Sequence, residues 1–135
     1  MSLDVSPELL AQAEAGPVDP DAFLATVRDS LPYAYAMVER LAGDLAAGNT
    51  VDGRRPFADN VVPPQTEAER GQLLRALASN AIRGSLERRF GVSLAFQNCH
   101  RLAAFPAGAE DSDAYRFFTS QRAQLLNQSP ELRDC

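Results

Sequence analysis

Cys99 and His100 stand side by side at the joint between two apolar segments, and His100 is the only histidine in the chain. A thiolate with an imidazole in reach can act as an activated nucleophile. The same two side chains can supply two ligands to a zinc ion. The spacing argues against both. Adjacent residues on a strand point to opposite faces, so a dyad needs a turn that folds the two side chains together. Zinc takes four protein ligands in structural sites and three in catalytic ones. There is no second histidine, and the other cysteine is Cys135, the last residue. No metal and no cofactor are expected. A structural turn is the leading reading of the pair, with thiol redox sensing and a place in a ligand site as its rivals.

Arg75 and Arg83 precede this joint and Arg101 follows it. Their forked donors can converge on an anionic ligand or an acidic partner. The plainer reading is a solvated helix face shared with Glu67, Glu69 and Glu87. Glu110, Asp111 and Asp113 are close enough in sequence to hold a divalent cation. They also stand where a helix start favours negative charge, and capping is the simpler account, as it is for Asp19 and Asp21. The ligand-binding candidates are therefore Cys99, His100, Arg75, Arg83 and Arg101. The chain has no Gly-rich phosphate loop, serine nucleophile elbow or His-Glu zinc motif. An enzyme is disfavoured, and no catalytic residue can be named.

Composition narrows the partners. The net charge is −5, whereas nucleic-acid binding is driven by a positive field that releases counterions; no nucleic-acid partner is expected. All 13 basic residues are arginine. Lysine is among the commonest residues in ordinary proteins, and its codons are AT-rich, so its absence points to a high-GC genome. In this respect the composition resembles that of small actinobacterial proteins. Met1-Ser2-Leu3-Asp4 has neither a basic nor an apolar region, so no signal peptide is expected. No apolar run approaches the roughly 18 residues of a membrane span. The expectation is a cytoplasmic protein with two free thiols.

The elements that must position these residues are mostly helical. Ser6-Pro7-Glu8 and Asp19-Pro20-Asp21 are helix starts, and Gly16-Pro17 ends the first helix. Ser30 is read as the cap of a third, striped by Tyr35, Val38, Leu41 and Leu45 and ended by Gly48. Residues 49–65 hold three prolines and one glycine and read as a long loop, pinned through Phe57, Val61 and Val62. Thr66 and Glu69 form a capping box before the longest helix, which runs to Phe90. Gly71 and Gly84 inside it suggest close helix approach. Past Gly91 the period changes to two: Val92, Leu94 and Phe96 alternate with Ser93 and Ala95, and Arg101–Phe105 can pair back as a hairpin. A continuous helix is the competing reading. A last helix starts at Asp111 or Ser112 and runs through Leu126, before a polar tail over 131–135.

These readings predict a mainly α single domain over residues 1–135, with about five helices and a small β-hairpin near 92–105. Helix should exceed half of the chain. The apolar stripes before residue 48, including Phe23, Leu24, Leu31, Tyr33, Tyr35 and Met37, outnumber what five helices need for a core. Surplus apolar surface marks association. The leading expectation is a non-enzymatic interaction or regulatory protein with a protein partner or a homodimer. A small-molecule-binding protein or enzyme with a pocket beside Cys99 and His100 is the alternative, and a thiol redox sensor the second.

Overall fold

Proline opens each of the first three helices, where its missing N–H is not needed and its fixed φ already suits the helix. They are α1 (Pro7–Ala15), α2 (Pro20–Ser30) and α3 (Pro32–Ala46). The computed structural model describes residues 3–50, 57–97 and 100–128. Helix makes up 62% of the described residues, more than the half that the apolar periodicity requires. Ser6 caps α1 by accepting Leu9 N–H at 3.1 Å. Ser30 does not cap α3. It is the last residue of α2, and its hydroxyl accepts the Asp4 N–H at 2.8 Å. The residue between the two helices, Leu31, is fully buried and has no capping side chain. The free N–H groups of α3 are met instead from another helix. Gln72 Oε1 accepts from Tyr33 N at 2.7 Å and from Ala34 N at 3.2 Å.

The segment from Thr66 to Phe90 is two helices, α4 (Glu67–Ala78) and α5 (Asn80–Phe90). Thr66 caps α4 as the capping box requires. Glu69 reciprocates one residue further back, on Gln65 N. The break is at Ser79, which is extended (φ −93°, ψ 118°) and caps α5 by accepting Ile82 N–H. Serine and asparagine compete for backbone hydrogen bonds and favour caps over helix interiors, so Ser79-Asn80 interrupts a stripe that is otherwise continuous. Arg83 closes the joint, donating to the Leu77 carbonyl at 3.2 Å and to Asn80 Oδ1 at 2.7 Å. The glycines do not mark close helix approach. A Cβ on Gly71 would meet nothing within 4 Å, and one on Gly84 would meet only the Arg88 side chain.

Gly91 ends α5 in the left-handed conformation (φ 65°), which suits glycine, and the predicted hairpin follows. Strands β2 (Val92–Gln97) and β3 (Arg101–Pro106) pair antiparallel, Leu94 opposite Ala104 and Phe96 opposite Leu102. A third strand joins them. β1 (Ala58–Asp59) lies inside the segment read as a loop and pairs antiparallel with β3, giving the order β1-β3-β2. Two residues are too short a run to show a period, which is why the strand was illegible in sequence. Phe57 is buried as expected, but Val61 and Val62 are exposed. Residues 51–56, the middle of that segment, and the 131–135 tail lie outside the described residues.

The sheet is buried on both faces. Val92, Leu94, Leu102, Ala104 and Ala58 pack into the core of α2–α5, around Val27, Leu41, Leu73 and Leu86. Ala95, Ala103, Phe105 and Phe57 face the other way, onto Phe118. Phe57 stacks on Phe105 at 4.8 Å, and Phe118 meets both rings edge-on at 5.7 Å. The C-terminal segment covering this face is two short helices, α6 (Asp113–Phe118) and α7 (Gln121–Leu126), with Ser112 and Ser120 as their caps. The single last helix expected there is thus broken at Thr119-Ser120, and the described residues hold seven α-helices rather than about five. None is long and apolar enough to cross a membrane.

Candidate functional site

The turn between β2 and β3 is held by a side chain from the segment after β1. Asn60 is 6% exposed. Its Nδ2 donates to the His100 carbonyl at 2.6 Å, and its Oδ1 accepts Leu102 N–H at 2.8 Å. Its own N–H reaches the Leu102 carbonyl at 3.2 Å. A primary amide offers the same donor and acceptor as a peptide group, so Asn60 prolongs the two-residue β1 ladder with its side chain. His100 itself is 8% exposed, and its Nδ1 finds no hydrogen-bond partner among the described residues. Burial, and secondarily the charge of Arg101, push its pKa below the ordinary 6.5, which favours the neutral ring. Cys99 and Cys135 lie outside the described residues, as does any thiol geometry.

Arg101 lies on the opposite side of the sheet from the helical core. Its Nε and Nη2 both reach Asp59 Oδ2, at 2.8 and 2.7 Å, with the two side chains 23% and 13% exposed. The guanidinium also lies over the Phe118 ring, 5.0 Å from its centroid, a cation–π geometry. Gln97, next to it, donates to the Phe118 carbonyl at 2.6 Å. Gln97, Arg101 and Phe118 line a cavity of about 370 Å³ between the sheet and α6, with Phe57, Asp113 and Phe117 as further walls. Phe117 is 43% exposed at its mouth. The cavity can hold a small, largely apolar molecule and offers Gln97, Arg101 and Asp113 as polar contacts.

The other arginines line different cavities. Arg83 lines one along the outer edge of β2, and Arg75 lines an open one over Leu74 and Ala78. Arg83 has its helix-closing role and Arg101 has Asp59, so each of these two guanidiniums already has partners. The acidic group is distributed as well. Glu110 accepts from the Ser93 hydroxyl at 2.8 Å, a bond that holds its carboxyl below the usual 4.5. Asp111 ends a 3-10 turn and Asp113 opens α6. Among the described residues, no group of three or more histidine, cysteine or acidic side chains could hold a metal ion.

The whole chain, residues 1–135, matches the model of the family described as NucS shadow ORF. It belongs to that family. No curated protein and no solved structure matches the chain. The family's description names a reading frame and carries no activity, substrate or partner. The residues that build the cavity and the turn are mostly not candidates from sequence. Asn60, Asp59 and Phe117 gave no spacing signal. Gln97 did give one: the two-residue alternation places it on the face of Ser93 and Ala95. A polar residue ending that row is informative once both faces of the sheet are known to be covered.

Proposed function

We propose that this protein is a non-enzymatic interaction or regulatory protein, working in the cytoplasm of a high-GC bacterium through protein–protein contacts. The observation that supports it is where the unspent apolar surface lies. The apolar stripes of α2 and α3 do not supply it: Leu31 and Met37 are buried, and Phe23, Leu24, Tyr33 and Tyr35 are partly buried against the core, while of the large apolar residues on α1 only Leu10 is exposed, at 52%. Exposed instead are Leu74 on α4, Phe117 on α6, and Leu125 and Leu126 on α7, the last two at 73% and 67%. Single exposed apolar residues are ordinary; two adjacent exposed leucines on a six-residue helix favour association. Crosslinking and pull-down from the native host tests this. A specific partner, or a dimer by sedimentation, that is lost in a Leu125→Glu/Leu126→Glu variant is the expected result. A protein that stays monomeric and captures no specific partner would overturn the reading.

A second reading is a small-molecule-binding protein, favoured by the cavity at Gln97 and Arg101. The cavity is lined by Arg101 rather than by Phe96 or His100, so the ligand would lie on the α6 side of the hairpin. A fragment screen by NMR should then perturb Phe117 and Gln97. Hits that leave both signals unmoved, or no hits, would remove this reading.

A further inference from the structure

The outer edge of β2 is the floor of a groove walled by both helical layers. Because side chains alternate along a strand, Leu94 and Phe96 belong to the α2–α5 face and Ala95 to the α6 face. One cavity of about 320 Å³ touches all three, and a space that contacts both faces of a strand lies at its edge. Leu77 and Arg83 wall it on one side, Tyr115 and Thr119 on the other. The sheet order β1-β3-β2 leaves β2 with no second neighbour among the described residues.

The hydrogen-bond parity of the ladder shows which groups point into this groove. The N–H and carbonyl of Leu102 are engaged on the β1 side, by Asn60, so Phe96, opposite Leu102, is in a non-hydrogen-bonded pair with β3. Bonded and non-bonded pairs alternate along an antiparallel ladder, which puts Leu94 opposite Ala104 and Val92 opposite Pro106 in the same class. Two observations agree. Pro106 has no N–H to give, and the Leu94 N–H is turned outward, where Glu87 Oε2 accepts it at 2.9 Å. The Leu94 carbonyl and both backbone groups of Phe96 therefore also face outward. Glu87 closes one end of the row, as charged side chains do on strand edges, and leaves the Phe96 end open.

We propose that this groove binds an extended segment of a partner protein by strand addition to β2. The reading rests on the interaction role proposed above and names the site and the chemistry of the partner. A row of alternating backbone donors and acceptors is matched by another extended backbone. The walls rise on both faces of the strand, so a single peptide segment fits where the recessed edge of a second folded copy would be blocked. On the α4–α5 side the incoming strand meets Leu77 and the exposed Leu74, then Arg83, with Arg75 in the adjoining cavity that shares Leu74 and Ala78. The segment should present an apolar side chain and a carboxylate two residues apart, on one face and roughly 6.5–7 Å from each other.

The test uses two synthetic peptides, acetyl-Thr-Leu-Thr-Asp-Thr-amide and acetyl-Thr-Asp-Thr-Leu-Thr-amide, titrated into the ¹⁵N-labelled full chain. At least one should bind, with the largest shifts and added exchange protection at the Phe96 amide. N-methylating the peptide amide that donates to the strand should weaken binding at least tenfold, and replacing its Asp by Asn severalfold. Leu74→Ser in the protein should also weaken it severalfold. An N-methylated peptide that binds as well as its parent overturns strand addition. So does binding that maps to α7, or no binding at several millimolar. A host partner captured through Leu125 and Leu126 would leave the interaction role standing while this site failed; loss of every partner alongside intact peptide binding would do the reverse.

Discussion

Replacing Asn60 with alanine tests how the third strand is held. The substitution removes the amide that joins the segment after β1 to the β2–β3 turn and leaves two backbone groups, the His100 carbonyl and the Leu102 N–H, without their partner. The site is 6% exposed, so water does not readily replace the lost bonds. A buried donor or acceptor left unsatisfied costs about 1–3 kcal/mol, and two such groups, taken in the lower part of that range, make the expected loss roughly 2–4 kcal/mol. For a chain of this length that corresponds to a fall in Tm of roughly 10 °C. Urea denaturation followed by circular dichroism gives the difference directly, with an unchanged m-value. Asn60→Asp adds a check on the mechanism. The carboxylate keeps an acceptor for Leu102 N–H but sets an oxygen against the His100 carbonyl, whereas the protonated acid can donate to it. Its folded pKa is raised, so the variant's deficit against the wild type should widen as pH rises from about 4 to 7. An alanine variant within about 0.5 kcal/mol of wild type, or a pH-independent deficit for the aspartate variant, would refute the account.

Gln72→Ala should cost about 1–2 kcal/mol, the value of a helix cap, because Gln72 serves both free N–H groups at the start of α3; urea midpoints check it. Glu87→Ala should speed hydrogen exchange at the Leu94 amide, its partner at 2.9 Å, while leaving Leu102 exchange unchanged. The pH dependence of stability has a sign fixed by His100. Its folded pKa lies below 6.5, so the unfolded chain binds the proton first, and stability should fall as pH drops below about 6.5. Glu110, held below 4.5 by Ser93, adds a loss of the same sign at lower pH. Denaturation midpoints between pH 5 and 8 should flatten in His100→Gln; a slope that persists there would place the titration elsewhere.

The helices and the hairpin were legible because each carries a repeated signal. Prolines at first positions, the Thr66–Glu69 box and the alternation from Val92 to Phe96 all act within a few residues, and the structure realises them. What was not legible depends on partners far along the chain. β1 becomes a strand only because β3 is there to pair with it, and Gln72 becomes a cap only because α4 lies beside the start of α3. The break at Ser79 was a missed local signal, since Ser79-Asn80 is a cap pair that the apolar stripe on either side concealed. For the candidate site, Arg101 lines a cavity, but the residues that give it shape come from three separate segments. The two-sided burial of the sheet decides this. An alternating strand reads as half-buried, and Ser93, Ala95 and Gln97 are all too small or too polar to announce a second apolar layer.

The clasp at Asn60 also bears on the order in which the fold assembles. β2 and β3 are joined through residues 98–100, whereas β1 must bring Ala58 to Ala104 across the intervening helices. Closing the longer loop carries the larger entropic cost, and its reward is two residues of ladder and one amide side chain. The transition state for folding is therefore expected to contain the hairpin but not the third strand. In stopped-flow measurements, Asn60→Ala should leave the refolding rate nearly unchanged and place its whole effect on unfolding. The residue that completes the sheet would then govern how long the native state lasts rather than how quickly it forms.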